Sequence, residues 1–446
     1  MVKDKKFSVI GFGRSGQAIA KLLTAKQGIV FVSDSKPMSK EQMKIIADYH
    51  LRYETEHSEE ILDADYIILS PGVPDTIEMV RRAAWKRIPV LSEIEIASRL
   101  MKNKFICVTG TNGKSTTAYL TYQILKLLEI DCDLGGNISP GKSLSEIAIN
   151  EPDKNRFIVL ELSSFQLEHI VKFTPFIGMI TNISDDHLDR YKSIDDYLNA
   201  KLQMFKNMKE EGYRILNKDD SSLQRIEETP NTLYVSENEV RNGAFLKNNE
   251  IIIRFNSKEH VYDYSKFRLI GKHNVYNLMF SLLSSVIAFR HTPSLEEKLG
   301  DLKGLEHRME FVSEINNVKI YNNSMCTNPK AFIASLESAG FNQTVILGGR
   351  NKNFDTDLII KAIIKYAKRA YVMGEVKDSI RLLLNDEGYS NVETVSSLEE
   401  AFEKAVLNAE PGTSINFSPG FSSFDMFKDF IDRGNKFKEL VKKHVK

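Results

Sequence analysis

A glycine-rich segment lies between a short apolar run and a helix-like run. Residues 108–117 read V-T-G-T-N-G-K-S-T-T, after F-I-C at 105–107 and before A-Y-L at 118–120. A strand that feeds such a turn and then a helix places backbone N–H groups, a positive helix end and one lysine around a phosphate. The usual P-loop has a glycine five residues before Gly113, where this chain has Val108. The segment predicts a loop for a nucleoside triphosphate, and an ordinary strand–turn–helix stays the alternative.

A second glycine-rich segment lies near the N-terminus and matches the dinucleotide-binding fingerprint. Residues 11–16 read G-F-G-R-S-G after a strand-like run, and Asp34 ends the next one. In that arrangement a diphosphate binds at the helix start and the acid binds a ribose hydroxyl. A UDP-type nucleotide fits better than a nicotinamide cofactor because a separate phosphate loop follows. A tight turn whose glycines serve packing alone stays the alternative.

Polar clusters follow two further strand-like runs, at 161–166 (E-L-S-S-F-Q) and 181–190 (T-N-I-S-D-D-H-L-D-R). In an open parallel sheet, ligands gather at the carboxyl ends of the strands. Glu161 and His187 could therefore hold Mg²⁺ beside the phosphate loop. Because Mg²⁺ prefers oxygen ligands, solvated loops stay the alternative for both clusters.

Some basic residues are ambiguous from composition alone. Lys201, in Y-L-N-A-K at 197–201, looks like a solvated helical lysine. The H-N-V-Y-N run at 273–277 and the pair His307-Arg308 lie at predicted domain edges, where capping and loop roles are common. Arg308 could equally neutralise phosphate charge as an arginine supplied by the next domain.

Bulk composition narrows the class of protein. The chain has 446 residues, and Lys+Arg and Asp+Glu both number 60. A net charge of zero gives no overall field that would attract nucleic acid or an anionic membrane. Three cysteines (Cys107, Cys132, Cys326) in no metal-ligand spacing indicate structural thiols in reducing surroundings. With no signal-like apolar segment and no long apolar stretch, we expect a cytoplasmic protein.

Strand-like and helix-like runs alternate along most of the chain, which predicts an α/β fold of parallel sheets covered by helices. We expect three consecutive domains at 1–100, 101–305 and 306–446, the outer two Rossmann-like and the central one P-loop-type. Short runs between asparagine-rich turns at 232–270 predict a small antiparallel addition to the central sheet.

The order of these motifs resembles that of the Mur ligase family. The matching segments are G-T-N-G-K-S-T at 110–116, G-G-N-I at 135–138, E-L-S-S-F-Q-L at 161–167, N-I-S-D-D-H-L-D-R-Y at 182–191, Y-x-x-A-K at 197–201, G-x-H-N-x-x-N at 271–277, H-R at 307–308, L-G-G-x-x-K at 347–352 and S-P-x-x-x-S-x-D-x-F-K-x-F at 418–430. The last motif, followed by Arg433-Gly434-Asn435, is most similar to the member that adds D-glutamate.

The resemblance implies that the domain at 1–100 binds UDP, the domain at 101–305 binds ATP and the domain at 306–446 binds the amino acid. It also implies a role for each matched position. ATP and two Mg²⁺ ions would be the cofactors, bound by Gly110, Thr111, Asn112, Gly113, Lys114, Ser115 and Thr116, with Glu161 and His187 as further metal ligands. Lys201 would be carbamylated, which turns a cation into a carboxylate-like ligand for the second ion; Asn274, Arg308 and Asn323 would contact ATP. The UDP-sugar site would contain Ser15, Asp34, Ser35, Ser70, Gly72 and Asn137, with Ser163 near the acceptor alanine. The incoming glutamate would be held by Thr327, Lys352, Ser423 and Phe430.

One segment departs from the family pattern. The family sequence N-D-S-K-A-T-N is N-N-S-M-C-T-N at 322–328. Asn323 can still bind ribose hydroxyls in place of the acid. Met325 in place of a lysine removes a cation near the amino-acid pocket, where charge-assisted hydrogen bonds would be strong. Either Lys352 and backbone donors suffice, or the incoming amino acid is not D-glutamate.

The resemblance therefore implies an ATP-dependent amide ligase. It would add D-glutamate to UDP-N-acetylmuramoyl-L-alanine through an acyl phosphate during peptidoglycan precursor synthesis. We expect a monomer whose partners are the UDP-linked substrate and the amino acid, with no nucleic acid and no membrane. The alternatives are a related ligase for another amino acid, such as L-glutamate, or another acceptor, and more remotely a non-catalytic nucleotide-binding paralogue.

Overall fold

The computed structural model describes residues 1–150, 156–184, 190–289, 295–352 and 354–445. Contacts among the residues divide the chain into two compact units. The first contains Met1–Ser265 and Tyr276–Leu299, and the second contains Lys266–Val275 and Gly300–Lys446. No helix in the described ranges combines the length and the apolar character that crossing a bilayer requires.

The first sheet lies in the first unit and is entirely parallel. Its strands are β1 (Lys6–Ile10), β2 (Ile29–Ser33), β3 (Arg52–Glu54), β4 (Tyr66–Leu69) and β5 (Val90–Leu91), in the order β3-β2-β1-β4-β5. The helices are α1 (Arg14–Ala25), α2 (Lys40–Asp48), α3 (Glu78–Trp85) and α4 (Glu93–Arg99), with a 3-10 helix at Glu59–Leu62. The loops that follow β1, β2 and β4 share one edge because the strands are parallel.

The second sheet is also in the first unit. Its strands are β6 (Lys104–Thr109), β7 (Cys132–Gly136), β8 (Phe157–Glu161), β9 (Ile177–Ile180), β10 (Tyr213–Asn217), β11 (Thr232–Ser236), β12 (Gly243–Lys247), β13 (Glu250–Phe255) and β14 (Lys258–Asp263). They lie in the order β14-β13-β12-β11-β10-β9-β6-β8-β7. The helices are α5 (Lys114–Leu127), α6 (Leu144–Asn150), α7 (Ser164–Glu168), α8 (Ile194–Leu202) and α9 (Lys272–Phe289), with 3-10 helices at Gln203–Phe205 and Leu223–Arg225.

A buried carboxylate joins the two sheets of the first unit. Glu95, in α4, is fully buried. Its oxygens accept N–H bonds from Val171, Lys172 and Phe173 at 2.9–3.1 Å and one from Arg99 Nε at 2.6 Å. A buried carboxylate is stable when several donors replace its water. The first sheet is thus bonded to the segment that follows α7.

The third sheet lies in the second unit. Its strands are β15 (Glu310–Ile315), β16 (Val318–Asn322), β17 (Gln343–Gly348), β18 (Ala367–Met373), β19 (Val392–Thr394) and β20 (Ser414–Gly420). The order is β15-β16-β20-β17-β18-β19, and only β15 is antiparallel to its neighbour. The helices are α10 (Pro329–Ala339), α11 (Asp357–Tyr366), α12 (Lys377–Asp386), α13 (Leu398–Asn408) and α14 (Phe430–His444), and a 3-10 helix spans Glu296–Asp301.

The predicted fold class is confirmed: three successive α/β sheets, the outer two Rossmann-like. The prediction for 232–270 was partly wrong, because β11 and β12 continue the parallel sheet and only β13 and β14 are antiparallel. Gly243 explains the close pairing of β12 with β11. Its φ is +137°, and a Cβ there would overlap the carbonyl of Tyr234.

All three cysteines are buried and none forms a disulfide. Burial raises the pKa of each thiol, well above the usual range for Cys107, to about 12 for Cys132 and to about 11 for Cys326. The prediction of structural thiols therefore agrees with the structure.

Candidate active site

The phosphate loop joins β6 to α5 and depends on two glycines. Gly110 and Gly113 have φ angles of +143° and +80°. A Cβ at Gly110 would overlap Thr181 Oγ1, and a Cβ at Gly113 would overlap Asn277 Oδ1. Because α5 begins at Lys114, its first N–H groups have no partner inside the helix and can bind an anion.

The residues that follow β9 brace this loop. Thr111 N donates to Asn182 O at 2.8 Å, and Asn112 N donates to Asn182 Oδ1 at 2.9 Å. Thr181 Oγ1 donates to Asn112 O at 2.6 Å. Lys114 Nζ donates to Thr111 O at 2.7 Å, which holds the ammonium across the loop. These hydrogen bonds within the protein therefore hold the loop in its conformation.

Glu161 ends β8, directly beside β6. It is 3% exposed, and the register pairs it with Val108 on one side and Gly136 on the other. Asn137 N donates to Glu161 O at 2.9 Å. The structure therefore places Glu161 at the edge of the sheet that carries the phosphate loop, as predicted from its position at a strand end, and Asn137 lies beside it.

Lys201 lies in α8 and is 1% exposed, so the reading from composition, a solvated lysine, was wrong. Its Nζ donates to Gly110 O at 2.9 Å and lies 4.2 Å from the centre of the Tyr197 ring. The buried amine thus touches the first residue of the phosphate loop. His187 lies outside the described residues.

Ser163 caps the short helix α7. Its hydroxyl accepts a bond from Gln166 N at 3.3 Å, and the Gln166 side chain bonds back to Ser163 N at 3.0 Å. This reciprocal capping box fixes the turn immediately after Glu161.

The N-terminal glycine loop is held from two sides. Asp34 accepts a bond from Phe12 N at 2.6 Å, and Ser70 Oγ donates to Gly11 O at 2.7 Å. Arg14 donates to Ile138 O at 3.2 Å and also to Gly141 O, which ties the glycine loop to the segment after β7. The other residues predicted for the UDP site lie at the surface or partly buried: Ser15, Ser35, Gly72 and Asn137.

The second unit has its own cluster of predicted residues at the carboxyl edge of the third sheet. Thr327 follows β16, and Lys352 follows β17. The segment at Arg350 pairs with Ser422, next to buried Ser423. Lys352 is exposed and Thr327 partly so, and neither side chain makes a hydrogen bond within the described residues.

Beneath these residues lies a fully buried guanidinium that the sequence did not single out. Arg433, in α14, donates to Ser324 Oγ, Ser324 O and Phe421 O at 3.1, 2.8 and 3.1 Å. Ser324 Oγ in turn donates to Phe430 O at 2.8 Å. Burial lowers the pKa of Arg433 to about 10, so it remains charged at neutral pH. Partly exposed Met325 directly follows Ser324.

The remaining predicted ATP contacts also lie in the second unit. Asn323 is buried, and its amide donates to Ser418 Oγ at 2.8 Å and accepts from Met309 N at 3.1 Å. Asn274 is buried and donates to Ile270 O at 2.7 Å. Arg308 is exposed. Asn323 therefore supports the loop after β16 through both ends of its amide.

Three comparisons with known proteins bear on this site. Residues 6–79, 108–285 and 307–421 match family models for the MurD N-terminal domain, the Mur ligase middle domain and the Mur ligase glutamate ligase domain. A UDP-N-acetylmuramoylalanine–D-glutamate ligase of Geotalea uraniireducens is 35% identical over 98% of this chain and 97% of its own. The ligase of that name from Thermoanaerobacter sp. (strain X514) is 35% identical over 99% and 98%.

The chain belongs to the Mur ligase family. A solved structure of similar fold is the UDP-N-acetylmuramate–alanine ligase MurC of Thermotoga maritima, with a TM-score of 0.57, 20% identity and coverage of 99% of this chain and 100% of that one. The family predicted from the motif order is confirmed, and with it an ATP-dependent ligase of peptidoglycan synthesis.

For a Mur ligase, the donor set of the first unit fits the predicted groups. The loop offers N–H donors and one ammonium for phosphate oxygens, and Ser115 and Glu161 offer the oxygen ligands that Mg²⁺ prefers. Carbamylation of Lys201 also fits, because a carbamate retains one N–H that can still donate to Gly110 O.

Sequence reasoning missed the residues that position the site. Thr181 and Asn182 were predicted to belong to a ligand cluster, and they brace the loop. Arg433 was noted only as part of a motif, since arginine is mostly a surface residue. The run R-G-N at 433–435, soon after the S-P-x-x-x-S-x-D-x-F-K-x-F motif, was the available signal.

Proposed function

We propose that the protein joins D-glutamate to the carboxyl group of UDP-N-acetylmuramoyl-L-alanine, with ATP as the energy source. The observation that carries the proposal is nearly end-to-end similarity to ligases of that name, at 33–35% identity. The phosphate loop, Glu161 and Lys201, which adjoin one another in the first unit, support it.

The first step transfers the γ-phosphoryl group of ATP to the acceptor carboxylate. In our proposal the N–H groups at the start of α5 and the Lys114 ammonium bind the phosphate oxygens and offset their growing charge. Ser115, Glu161 and His187 would hold Mg²⁺, which would supply further positive charge to these oxygens. The acyl phosphate is the activated form of the carboxyl group.

Lys201 is proposed to act as its carbamate, a carboxylate-like ligand toward a second Mg²⁺. Its burial and its hydrogen bond to Gly110 O support this role, because they place the side chain next to the phosphate loop. Carbamylation would also replace the buried Lys201 ammonium with an anion, and the positive charge of Mg²⁺ would compensate the cost of burying that anion.

In the second step the neutral amine of the amino acid attacks the acyl carbon and expels phosphate, which leaves an amide. We propose that Thr327, Lys352, Ser423 and Phe430 hold the amino acid. Arg433 donates to the backbone of Ser324 and lies beneath the loop that contains Met325 and Thr327. Its positive charge would help to attract a dicarboxylate amino acid without direct contact. Because Met325 stands where the family pattern has a lysine, a ligase for another amino acid, such as L-glutamate, is the second candidate function.

The acceptor would lie in the first unit. Ser15, Asp34, Ser35, Ser70, Gly72 and Asn137 are proposed to bind its UDP-sugar, and Ser163 its alanine; Asn274, Arg308 and Asn323 are proposed as ATP contacts. We propose three functional domains at 1–100, 101–305 and 306–446, acting as a monomer. Because both nucleotide substrates are cytoplasmic metabolites, we propose that compartment.

Phosphate release from ATP tests the proposal directly. The purified protein is incubated with UDP-N-acetylmuramoyl-L-alanine and a panel of D- and L-amino acids. We expect release with D-glutamate and little with the others. Release with a different amino acid would establish the second candidate. ATP binding without release under any condition would favour another acceptor or a non-catalytic role.

A further inference from the structure

Glu168 ends α7 and has no part in the proposed chemistry, yet it binds two donors at once. Arg190 Nη2 donates to Glu168 Oε2 at 2.6 Å, and Tyr191 OH donates to Oε1. The side chains of Glu168 and Arg190 are 16% and 19% exposed. Such a partly buried, charge-assisted pair is stronger than a surface ion pair.

An unbroken series of ring contacts leads from this carboxylate to the amine beside the phosphate loop. Tyr191 lies against Tyr197, with ring centres 5.2 Å apart. The Tyr197 ring lies 4.2 Å from Lys201 Nζ, which donates to Gly110 O. A displacement of Tyr191 would therefore be transmitted to the ring that supports Lys201.

A second contact holds the donor side in place. The Arg190 guanidinium lies 4.1 Å from the centre of the Phe165 ring, and Phe165 stacks on Tyr191 at 6.2 Å. Burial and the bond to Glu168 raise the pKa of Tyr191, so its hydroxyl stays a donor across the working pH range. Glu168 thus joins α7, which follows Glu161, to the segment that leads into α8, the helix that carries Lys201.

The geometry points to Glu168 as a positioning residue for Lys201: its carboxylate fixes Tyr191, Tyr191 supports Tyr197, and Tyr197 sets where the Lys201 amine lies. This inference rests on the proposed function, because it concerns the residue assigned to the carbamate. It adds a residue that acts on the site through two aromatic rings.

A cation site at Glu168 is the competing interpretation. Ligand atoms of Asp75, Glu168 and His169 lie within 4.8 Å of one another. Both Glu168 oxygens already accept bonds, however, and the Arg190 guanidinium opposes a second cation there. The contacts favour the positioning role.

Two substitutions, their double variant, the conservative Glu168→Asp and a matched control test it. Glu168→Gln keeps the size and removes the charge, and Tyr191→Phe removes the donor. Glu228→Gln is the control, because Glu228 also accepts a tyrosine hydroxyl, that of Tyr234 at 2.7 Å, on the exposed surface. Each protein is assayed for kcat and KM and for a lysine carbamate by NMR with ¹³C-labelled bicarbonate.

We expect Glu168→Gln to lower kcat about tenfold to a hundredfold, with little change in the KM for the UDP substrate, as for groups that orient a metal ligand. The carbamate signal should weaken in this variant and in Tyr191→Phe, and the double variant should lose no more than the worse single one. Glu168→Asp should recover part of the loss, and Glu228→Gln should match the wild type.

Wild-type kcat and carbamate signal in Glu168→Gln, with only a lower melting temperature, would overturn the inference and leave a structural role. Additive losses in the double variant would also overturn the coupling to Tyr191. A wild-type protein that ligates without any carbamate signal would instead refute the proposed state of Lys201. Absence of ligation in the wild type would refute the proposed function itself, so the failures are distinguishable.

Discussion

The edge of the second sheet and the edge of the third sheet present their candidate side chains differently. At the phosphate loop, Lys114 and Lys201 each donate to a loop carbonyl, and Asn182 accepts N–H groups from the loop. At the third sheet, Lys352 is exposed and the bonded groups lie underneath, around Arg433. The phosphate-binding part is thus pre-shaped, whereas the pocket proposed for the amino acid has a fixed floor, with exposed Lys352 and partly exposed Thr327 above it.

The largest effect should come from the pre-shaped edge. Lys201→Ala removes the buried amine and should lower ligation about a hundredfold or more, because water cannot replace a charged group held in a fixed, buried position. Added formate or acetate should restore part of the activity. Exposed Lys206, a few residues along the chain, provides the control through Lys206→Ala. Undiminished ligation by Lys201→Ala would refute its role and weaken the contrast between the two edges.

Removing the buried guanidinium of Arg433, which lies beneath the pocket proposed for the amino acid, should destabilise the folded protein. Arg433→Met leaves the acceptors of Ser324 and Phe421 without their buried donor and should lower the free energy of unfolding by about 3 kcal/mol. Urea denaturation measures the change. Arg350→Met is the control, since its ion pair with Glu375 is exposed and should contribute little. Equal losses in the two variants would show that burial of the guanidinium does not matter.

Adding a cation at position 325, next to Ser324, should strengthen the binding of glutamate. Met325→Lys restores the charge that the family pattern has, and we expect the KM for glutamate to fall about tenfold, the value of one moderate charge-assisted hydrogen bond. Met325→Leu should leave KM unchanged. Steady-state kinetics with both glutamate enantiomers decides. An unchanged KM in Met325→Lys would mean that the existing groups already saturate the carboxylates.

The smallest effect concerns acid stability of the second unit. Burial lowers the pKa of His307, against the opposing pull of Glu310, Glu306 and Asp429 and with help from Lys438. A histidine held neutral in the folded state favours unfolding as the pH falls below about 6.5, where the unfolded chain takes up the proton. His307→Asn should therefore flatten the loss of stability below that pH.

Exposed His50 is the matched control for that change, because both histidines have positive φ, 63° and 51°, which asparagine tolerates. Melting temperatures of the three proteins between pH 7 and 5 give the comparison. A steeper acid loss in His307→Asn than in the wild type would contradict the assigned sign.

Much of the fold and of the phosphate-binding edge could be predicted, for a physical reason. Strands that end in glycine and polar residues have strong local signals, so the positions of Glu161 and the loop at 110–116 follow from pattern alone. The pairing of β12 with β11 could not be predicted, since it depends on a close backbone approach at Gly243. Helical spacing in α8 likewise does not reveal which face carries a buried lysine.

The support beneath each site was hidden from the sequence because it depends on contacts between distant segments. Thr181 is about seventy residues from Asn112, and Arg433 is 109 residues from Ser324. Glu168 reads as an ordinary helix-terminal acid until Arg190 and Tyr191 are seen against it. The order of the sequence motifs predicted the reaction, whereas the tertiary contacts show which residues hold the reacting groups in place.

The burial of every cysteine has a practical consequence for labelling. Because the thiolate is the reacting species, three sequestered thiols with raised pKa values should resist alkylation in the folded protein. The three natural cysteines should therefore not interfere with the labelling of a single introduced cysteine. A cysteine placed at partly exposed position 325, next to the proposed pocket, would react alone, and protection of that thiol by an added amino acid would report occupancy of the pocket without any need for turnover.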